Sequence, residues 1–231
     1  MDKKVVFITG ASRGIGKATV DKFLTEGWKV AGFYRETAVE QTENSKFYQM
    51  DIVDNDSIEK AFQAAFTDFG RIDAFVHCVG IFGYRNLEQY DLETIDNVVA
   101  TNEVGTYVAT KHILKYLKSG AMVYISSTAG QIGSFDPIYS GTKGAVLAFT
   151  KSMAKALAPH VRVNTVAPGV TETDIVKSRN QERLDQEIGT SLMKKIALPA
   201  DIANGIYFLA SDQAAHITGA CLDINGGYVL R

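Results

Sequence analysis

The segment Ile125–Lys143, ISSTAGQIGSFDPIYSGTK, carries side chains whose types and spacing suit proton transfer. It opens with two hydroxyls, Ser126 and Ser127, and closes with Tyr139 and Lys143, four residues apart. If Tyr139 starts a helix, this spacing places the phenol and the ammonium on one face, one turn apart. The positive charge favours the phenolate, so Lys143 is expected to lower the tyrosine pKa from its ordinary value of about 10. A shift to near neutrality requires about 4 kcal/mol and would let Tyr139 exchange a proton at cellular pH.

A second tyrosine–lysine pair with the same spacing, Tyr107 and Lys111, lies in a long helical stretch after Asn102. The chain has ten tyrosines, so one chance match is unsurprising. No hydroxyl-bearing strand end precedes Tyr107, and we interpret it as a packing residue. The serines ahead of Tyr139 favour that residue as the chemical one.

Composition and charge exclude several classes of function. The chain has 231 residues, of which 46% are hydrophobic, and a formal net charge of −2. Because its lysines and arginines are scattered, we expect neither nucleic acid nor membrane as a partner. The start MDKKVVFITG passes directly from charged residues into a strand-like run, so we expect no signal peptide, and no apolar stretch is long enough to span a bilayer. Cys78 and Cys221 fall in predicted buried strands, where we expect core residues rather than a disulfide or metal ligands. Because disulfides belong to oxidising compartments, a cytoplasmic location is the default expectation.

A glycine-rich turn follows the first predicted strand, the apolar run Val5–Ile8. A strand, a glycine-rich turn and a helix together aim backbone N–H groups and a helix dipole at a phosphate. Gly10 permits the tight turn, Gly14 lets the backbone approach a pyrophosphate, and Gly16 lets the helix pack closely on the sheet. The spacing is G-x-x-x-G-x-G rather than G-x-G-x-x-G, so the glycines indicate a dinucleotide site only together with their strand and helix.

The end of the second predicted strand suggests which dinucleotide binds. In dinucleotide folds an acidic residue about twenty positions beyond the glycines accepts the ribose 2′-hydroxyl of NAD. This chain has Tyr34 and Arg35 there, and Arg35, with Arg13, could hold a 2′-phosphate. The sequence therefore favours NADP(H) over NAD(H), the alternative being that Arg35 is a solvated loop residue. Asp51 and Ile52, at the end of the third strand, could address the adenine.

Strands and helices alternate along the whole chain. This alternation, without repeats or linkers, predicts one doubly wound, Rossmann-like α/β domain over residues 1–231, with about seven parallel strands and helices on both faces. A substrate lid is expected at about 171–198, in an irregular, charged segment. The predicted strands are Val5–Ile8, Trp28–Tyr34, Lys46–Met50, Ala74–Val79, Met122–Ile125, Val161–Val166 and Ala220–Ile224. Helices are predicted to reach about Glu26, to bury a stripe from Ile58 to Phe69, and to span about Asp91–Lys118, Tyr139–Ala158 and Pro199–Ala210.

Four separated features together resemble the short-chain dehydrogenase/reductase family, and the resemblance covers nearly the whole chain. They are the Thr9–Gly16 turn, Asn102, Ser127 and the Tyr139/Lys143 pair. The segment Pro168–Thr173 looks like the family's loop around the nicotinamide carboxamide. The order of the elements and the ending Thr218–Gly227 look most like bacterial 3-oxoacyl-acyl-carrier-protein reductases and their relatives.

The resemblance implies a role for each residue of this set. Tyr139 would protonate the carbonyl oxygen as hydride arrives, and Lys143 would hold the nicotinamide ribose and depress the tyrosine pKa. Ser127, preferred to Ser126 because Thr128-Ala129-Gly130 follows it, would hydrogen-bond the substrate oxygen. Asn102 would anchor a water that relays protons through Lys143. The cofactor-binding residues, with no metal ligand among them, would be Gly10, Ser12, Arg13, Gly14, Ile15, Gly16, Arg35, Asp51, Ile52, Cys78, Gly80, Tyr139, Lys143, Pro168, Gly169, Thr171 and Thr173.

Three departures limit what the resemblance implies. The run His77–Gly80 stands where the family usually has Asn-Asn-Ala-Gly, and we interpret His77 as a core residue. The segment between Arg35 and Lys46 is short, so the second helix is expected to be stunted. The stretch Ala158–Val161 lacks the basic residue with which carrier-protein reductases tend to meet their acidic carrier.

The leading hypothesis is an NADPH-dependent reductase of a ketone, with a 3-oxoacyl thioester as one candidate. The alternatives are an alcohol- or hydroxysteroid-type dehydrogenase that works in the oxidative direction, and a regulatory protein that binds the dinucleotide without turnover. Apolar positions around Tyr107 and Val146–Phe149 predict a homo-oligomer, and the resemblance favours a tetramer over a dimer. Besides a small carbonyl or alcohol substrate, an acyl-carrier protein is a candidate partner. The pocket is expected to be lined by Phe82, Tyr84, Phe135 and the segment Glu172–Leu198, with its Ile175, Ile188, Leu192 and Met193.

Overall fold

A seven-stranded parallel sheet forms the centre of the molecule. The computed structural model describes residues 3–174 and 181–231. The strand order is β3-β2-β1-β4-β5-β6-β7, and all six pairings are parallel. The strands are β1 Val5–Thr9, β2 Lys29–Tyr34, β3 Ser45–Gln49, β4 Ala74–His77, β5 Gly120–Ile125, β6 Val161–Pro168 and β7 Cys221–Ile224. The predicted doubly wound, Rossmann-like fold is therefore confirmed.

Helices cover both faces of this sheet. In the described parts of the chain they are α1 Gly14–Thr25, α2 Asn55–Phe69, α3 Leu92–Val99, α4 Gly105–Ile113, α5 Thr128–Ile132, α6 Pro137–Leu157, α7 Gln181–Thr190 and α8 Pro199–Ala210. Val5 and Phe7 of β1 pack in one buried cluster with residues of α2, α4 and α6, and Val6 and Ile8 pack in another with residues of α1 and α8. A strand buried on both faces is apolar throughout, which explains the uninterrupted run in β1.

The local sequence fixes where α6 begins. Pro137 occupies the first helical position, where its missing N–H costs nothing and its fixed φ suits the helix. The preceding residue, Asp136, is the N-cap, and its side chain accepts a hydrogen bond from the Tyr139 backbone N–H at 2.9 Å. Tyr139 and Lys143 therefore both lie in the first two turns of α6, as their spacing predicts.

The predicted helix over Asp91–Lys118 is wrong in one respect, because a π-helical turn, Ala100–Val104, divides it into α3 and α4. The backbone N–H of Gly105 donates to a carbonyl five residues back. The Thr106 hydroxyl donates to the Asn102 carbonyl at 2.7 Å. The Asn102 side chain faces the interior, where the residue is only 1% exposed. Single π turns of this kind often occur at functional sites.

Other boundaries also differ from the predictions. Strand β4 ends at His77 rather than Val79, so Cys78 lies beyond the strand. Cys78 and Cys221, the latter in β7, are both half-buried, and neither forms a disulfide. The segment 35–44 between β2 and β3 contains no helix, so the second helix is lost rather than stunted. The segment predicted to be irregular contains α7, whose two large apolar residues, Leu184 and Ile188, are one helical turn apart in an otherwise polar sequence. Residues 175–180, including Ile175, lie outside the described residues. No described helix is long and apolar enough to cross a bilayer.

Candidate active site

A cavity of about 440 Å³ lies beyond the carboxyl ends of the central strands. In doubly wound sheets ligands bind at this edge, beside the point where the strand order reverses, which here lies between β1 and β4. The cavity brings together three of the predicted catalytic residues, Ser127, Tyr139 and Lys143. The predicted cofactor-binding residues in its wall are Ile15, Cys78, Gly80, Pro168, Gly169, Thr171 and Thr173, besides Tyr139 and Lys143.

The turn between β1 and α1, Gly10–Gly14 with Ser12 and Arg13, has a shape that fits a dinucleotide's phosphates. Gly10 and Gly14 have φ values of +68° and +54°, which side-chain-bearing residues rarely adopt. A Cβ at Gly16 would overlap the Gly10 carbonyl oxygen, so only glycine lets α1 start this close to the turn. Arg13, the N-cap of α1, makes no side-chain capping bond, and the first turn of α1 carries no acidic residue. The leading N–H groups of α1 can therefore serve an anion.

The residues predicted to contact the adenosine follow β2 and β3, at the end of the sheet next to β1. The exposed guanidinium of Arg35 follows β2 and pairs with Glu36, with Nη2 and Oε1 2.5 Å apart. The Asp51 carboxylate accepts a bond from Val53 N–H at 3.1 Å, and Ile52 is buried in the core. We did not anticipate Glu36, although the sequence places it directly after Arg35.

Lys143 is buried, at 4% exposure, and its ammonium Nζ donates to the Ile125 carbonyl oxygen at 3.0 Å. Nζ lies 5.8 Å from the centroid of the Tyr139 ring. A Cβ at Gly80 would stand 3.0 Å from Nζ, so the glycine makes room for the ammonium. Burial lowers the pKa of Lys143 from 10.5 to about 8. The group therefore remains mostly protonated at pH 7.

The two serines of the motif have different contacts. The Ser126 hydroxyl is buried and donates to the Lys143 carbonyl at 2.7 Å, which ties β5 to α6. The Ser127 hydroxyl caps α5 by accepting a bond from Ala129 N–H at 3.1 Å, so its own proton can be donated to a ligand oxygen. A Cβ at Gly130 would stand 2.6 Å from the Lys143 carbonyl carbon, and the absent side chain lets α5 lie against α6. This close crossing sets Ser127 in the same cavity wall as Tyr139.

Asn102 does not line the cavity, but it holds a residue that does. Its Oδ1 accepts from Ile81 N–H at 2.8 Å, and its Nδ2 donates to the Ile81 carbonyl at 2.8 Å. Nδ2 also lies 3.2 Å from the Thr142 hydroxyl. The side chain thus fixes the strand-like segment after β4 against α6, a contact that the sequence did not suggest.

His77 and Tyr107 occupy packing positions. The His77 ring is 2% exposed, and its Nδ1 lies 2.9 Å from the Thr9 hydroxyl. Burial, with a smaller contribution from the Lys143 charge, lowers the pKa of His77 to about 3, so the ring is neutral at physiological pH. Tyr107 packs on Phe149 with ring centroids 4.6 Å apart, away from the cavity.

Aromatic side chains form one wall of the cavity. Phe82 and Phe135 line it as predicted, and Phe82 meets the Tyr139 ring edge-on with centroids 4.5 Å apart. Tyr84 packs behind both phenylalanines rather than in the lining. Leu192 and Met193 are exposed and contribute no lining here, and Ile188 and Met193 line a neighbouring cavity of about 350 Å³. Within the predicted segment Glu172–Leu198, Thr173, Gln186, Glu187 and Thr190 line the cavity. Tyr228 also lines it, and no motif in the sequence suggested that residue.

Comparisons with known proteins agree with this geometry. A family model described as enoyl-(acyl carrier protein) reductase matches residues 10–229. The 3-oxoacyl-(acyl-carrier-protein) reductase of Vibrio cholerae is 33% identical over 238 residues, which cover 98% of each chain. The chain belongs to the short-chain dehydrogenase/reductase family. It is an oxidoreductase, and its family binds nicotinamide dinucleotides.

Solved structures of this family superpose closely on the chain. ElxO with NADP bound has a TM-score of 0.90 and 32% identity, and the match covers 98% of this chain and 99% of ElxO. The 3-ketoacyl-(acyl-carrier-protein) reductase of Brucella melitensis complexed with NADH has a TM-score of 0.91 and 28% identity, with 98% of both chains covered. Among these structures, one family member therefore binds NADP and another binds NADH.

Proposed function

We propose that the chain is an NADPH-dependent reductase of ketones, with 3-oxoacyl thioesters as the candidate substrate class. The observation that carries the proposal is the buried, mostly protonated Lys143 one helical turn from Tyr139, in a cavity that also holds Ser127. A charged group is rarely buried without a strong reason, because desolvation disfavours its charged form. Here the charge lies where it can stabilise a phenolate.

The residues divide the proton chemistry among themselves. The bound nicotinamide dinucleotide supplies the hydride that reduces the carbonyl carbon. Tyr139 donates a proton to the carbonyl oxygen, and the Lys143 charge lowers the cost of the phenolate that remains. Ser127 donates a hydrogen bond to the same oxygen, which stabilises the negative charge that develops there. Asn102 holds Ile81 in the cavity wall through two hydrogen bonds. The family pattern implies a second role, in which Asn102 binds a water that returns a proton to Tyr139 through Lys143.

The residues around the cavity suit the dinucleotide. We propose that the Gly10–Gly16 turn holds its phosphates, that Lys143 holds the nicotinamide ribose, and that Pro168–Thr173 holds the carboxamide. Arg35 would hold the 2′-phosphate of NADPH. Its pair with Glu36 is exposed on both sides and of small energy, so a phosphate can replace the carboxylate.

The substrate class rests on the relatives and on the lining of the cavity. The two relatives are named as 3-oxoacyl- and 3-ketoacyl-(acyl-carrier-protein) reductases, whose names place a ketone in the substrate. The family model is instead described as an enoyl reductase, a name that indicates a carbon–carbon double bond. An acid such as Tyr139 beside a hydrogen-bonding serine favours the carbonyl. An acyl-carrier protein as donor of the substrate, a tetramer or dimer, and a cytoplasmic location stay predictions.

Oxidation of NADPH and of NADH by the purified protein tests this function, with acetoacetyl-CoA, a panel of small ketones and crotonyl-CoA as substrates. We expect NADPH-preferring turnover of a ketone, which Tyr139→Phe lowers by at least about 100-fold while the NADPH affinity is kept. Tyr107→Phe is the matched control, because it removes a hydroxyl from the second tyrosine–lysine pair and should leave turnover unchanged.

The other outcomes each point to a different function. Full turnover by Tyr139→Phe would refute the proposed mechanism. Turnover of crotonyl-CoA alone would identify an enoyl reductase, and turnover only of alcohols with NADP⁺ or NAD⁺ would identify an oxidative dehydrogenase. Dinucleotide binding without any turnover would favour a regulatory protein.

A further inference from the structure

The loop after β4 packs against the start of α6. Phe82 and Tyr84 of this loop and Phe135, just before α6, form what we define as the aromatic wall. Phe82 and Phe135 meet at right angles with centroids 5.8 Å apart, and Tyr84 contacts both, at 5.4 and 5.2 Å. Phe82 in turn contacts the Tyr139 ring. The position of this wall therefore decides what fits beside Tyr139.

The backbone of the wall is strained at Tyr84. Its φ is +57°, a region that residues with a bulky side chain rarely adopt. Such a conformation persists only where surrounding contacts impose it, and it is concentrated at functional sites. The next residue provides those contacts: Arg85 N–H points to Asp136 Oδ2 at 3.4 Å, and Arg85 Nη1 donates to the Thr94 hydroxyl at 3.2 Å.

Asp136 joins the wall to the helix that carries Tyr139. Its carboxylate is fully buried and accepts bonds from the Tyr90 hydroxyl at 2.8 and 2.9 Å and from Tyr139 N–H at 2.9 Å. Burial, together with the neighbouring Asp136, raises the pKa of Tyr90, so its hydroxyl remains a donor. A Cβ at Gly83 would overlap that hydroxyl, and only glycine lets Tyr90 reach the carboxylate across the loop.

We propose that Asp136 and Tyr90 form a positioning clamp that holds the aromatic wall against Tyr139 and so sets substrate selectivity. The clamp links three backbone and side-chain donors from two segments to one carboxylate, so loss of one donor loosens both segments. With the wall fixed, the space beside Tyr139 is bounded by aromatic faces and edges, which favour a flat, apolar substituent on the ketone carbon. The chemical class that fits is an aryl ketone or aryl 3-oxo ester. This proposal deepens the proposed reductase function and rests on it.

The test compares two substrates that differ only in this substituent, ethyl benzoylacetate and ethyl acetoacetate, in the full-length protein. Tyr90→Phe removes the hydroxyl and keeps the ring. With Arg85 less constrained, Tyr84 can relax and its ring leaves the wall. We expect the ratio of kcat/KM for the aryl over the methyl substrate to fall at least about tenfold, because small displacements of positioning groups have effects of this order. The NADPH affinity should stay at the wild-type value.

Tyr48→Phe is the matched control, because Tyr48 also donates to a carboxylate, Asp68 Oδ2 at 2.7 Å, far from the cavity. It should leave the ratio unchanged. Tyr84→Gly is the second variant, since glycine accepts the positive φ and removes the ring directly. It should lower the ratio like Tyr90→Phe, and the double variant should lower it no further, because both act on one wall.

Hydrogen exchange separates failure of the clamp from failure of the proposed function. In Tyr90→Phe, exchange should rise in the segment 82–90 and in the first turn of α6, and it should not rise there in Tyr48→Phe. An unchanged substrate ratio, or additive effects in the double variant, would overturn the selectivity role even if stability falls. A wild-type protein that reduces neither substrate with NADPH would refute the reductase proposal for this class, and unchanged exchange in Tyr90→Phe would then refute the clamp on its own.

Discussion

Replacement of Lys143 by methionine should stabilise the cofactor-free protein while it abolishes turnover. Burial lowers the pKa of Lys143 from 10.5 to about 8, and that shift of about 2.5 units corresponds to about 3 kcal/mol of cost at pH 7, at about 1.4 kcal/mol per unit. Methionine fills a similar space without a charge. Loss of the bond from Nζ to the Ile125 carbonyl removes about 1 kcal/mol. The net expectation is a gain of about 2 kcal/mol, or about 4–8 °C in melting temperature for a chain of this size.

The pH dependence gives the sharper test. Below pH 8 the lysine is charged in both the folded and the unfolded state, and the folded state carries the full cost. Between pH 8 and 10.5 the unfolded state binds more protons than the folded state, so wild-type stability rises with pH relative to the variant. Melting curves without cofactor from pH 7 to 10 should therefore converge. Lys151→Met, on the exposed face of the same helix, is the control and should show no such convergence. A variant less stable than wild type at pH 7, or a difference independent of pH, would refute the reasoning.

Two further changes test the packing around the site. The pKa of His77 is about 3 in the folded state, so unfolding takes up a proton below pH 6.5. In urea titrations the free energy of unfolding of the wild type should fall by about 2 kcal/mol between pH 7 and 5, and that of His77→Gln should fall by less. The control His216→Gln, at an exposed site, should match the wild type. Gly16→Ala should abolish dinucleotide binding in calorimetry, because the new Cβ overlaps the Gly10 carbonyl oxygen in the turn. The control Gly189→Ala, whose Cβ meets open space, should bind the dinucleotide normally. Normal binding by Gly16→Ala would show that the shape of the turn is not needed for binding.

The sequence was sufficient to predict the fold because each buried strand is short, apolar and bounded by turn residues. Val5–Ile8 and Met122–Ile125 both lie within observed strands, and Pro199 marks the start of α8. These signals are local, and alternation of strands and helices leaves few ways to arrange a parallel sheet. The spacing of Tyr139 and Lys143 likewise predicts their common helix, since it depends only on helical geometry.

Features that depend on contacts between distant segments could not be predicted from local patterns. Asn102, within the π turn, bonds to Ile81, 21 residues earlier, and no local pattern indicates this contact. The buried Asp136 looks in the sequence like an ordinary helix cap, and nothing local connects it with Tyr90, 46 residues away. Helix α7 was missed for another reason, because only two large apolar residues, Leu184 and Ile188, mark its helical periodicity.

The proposed proton chemistry and the proposed substrate wall depend on different contacts. Lys143 and Asn102 are anchored to backbone atoms, the Ile125 carbonyl and the Ile81 peptide groups. Backbone anchors survive when neighbouring side chains change. Phe82 instead contacts other aromatic rings, Tyr84 and Phe135, and we expect a substitution of either ring to move it. We infer that a chain built this way can change its substrate while it keeps its reaction, so the choice of substrate must be tested at the wall.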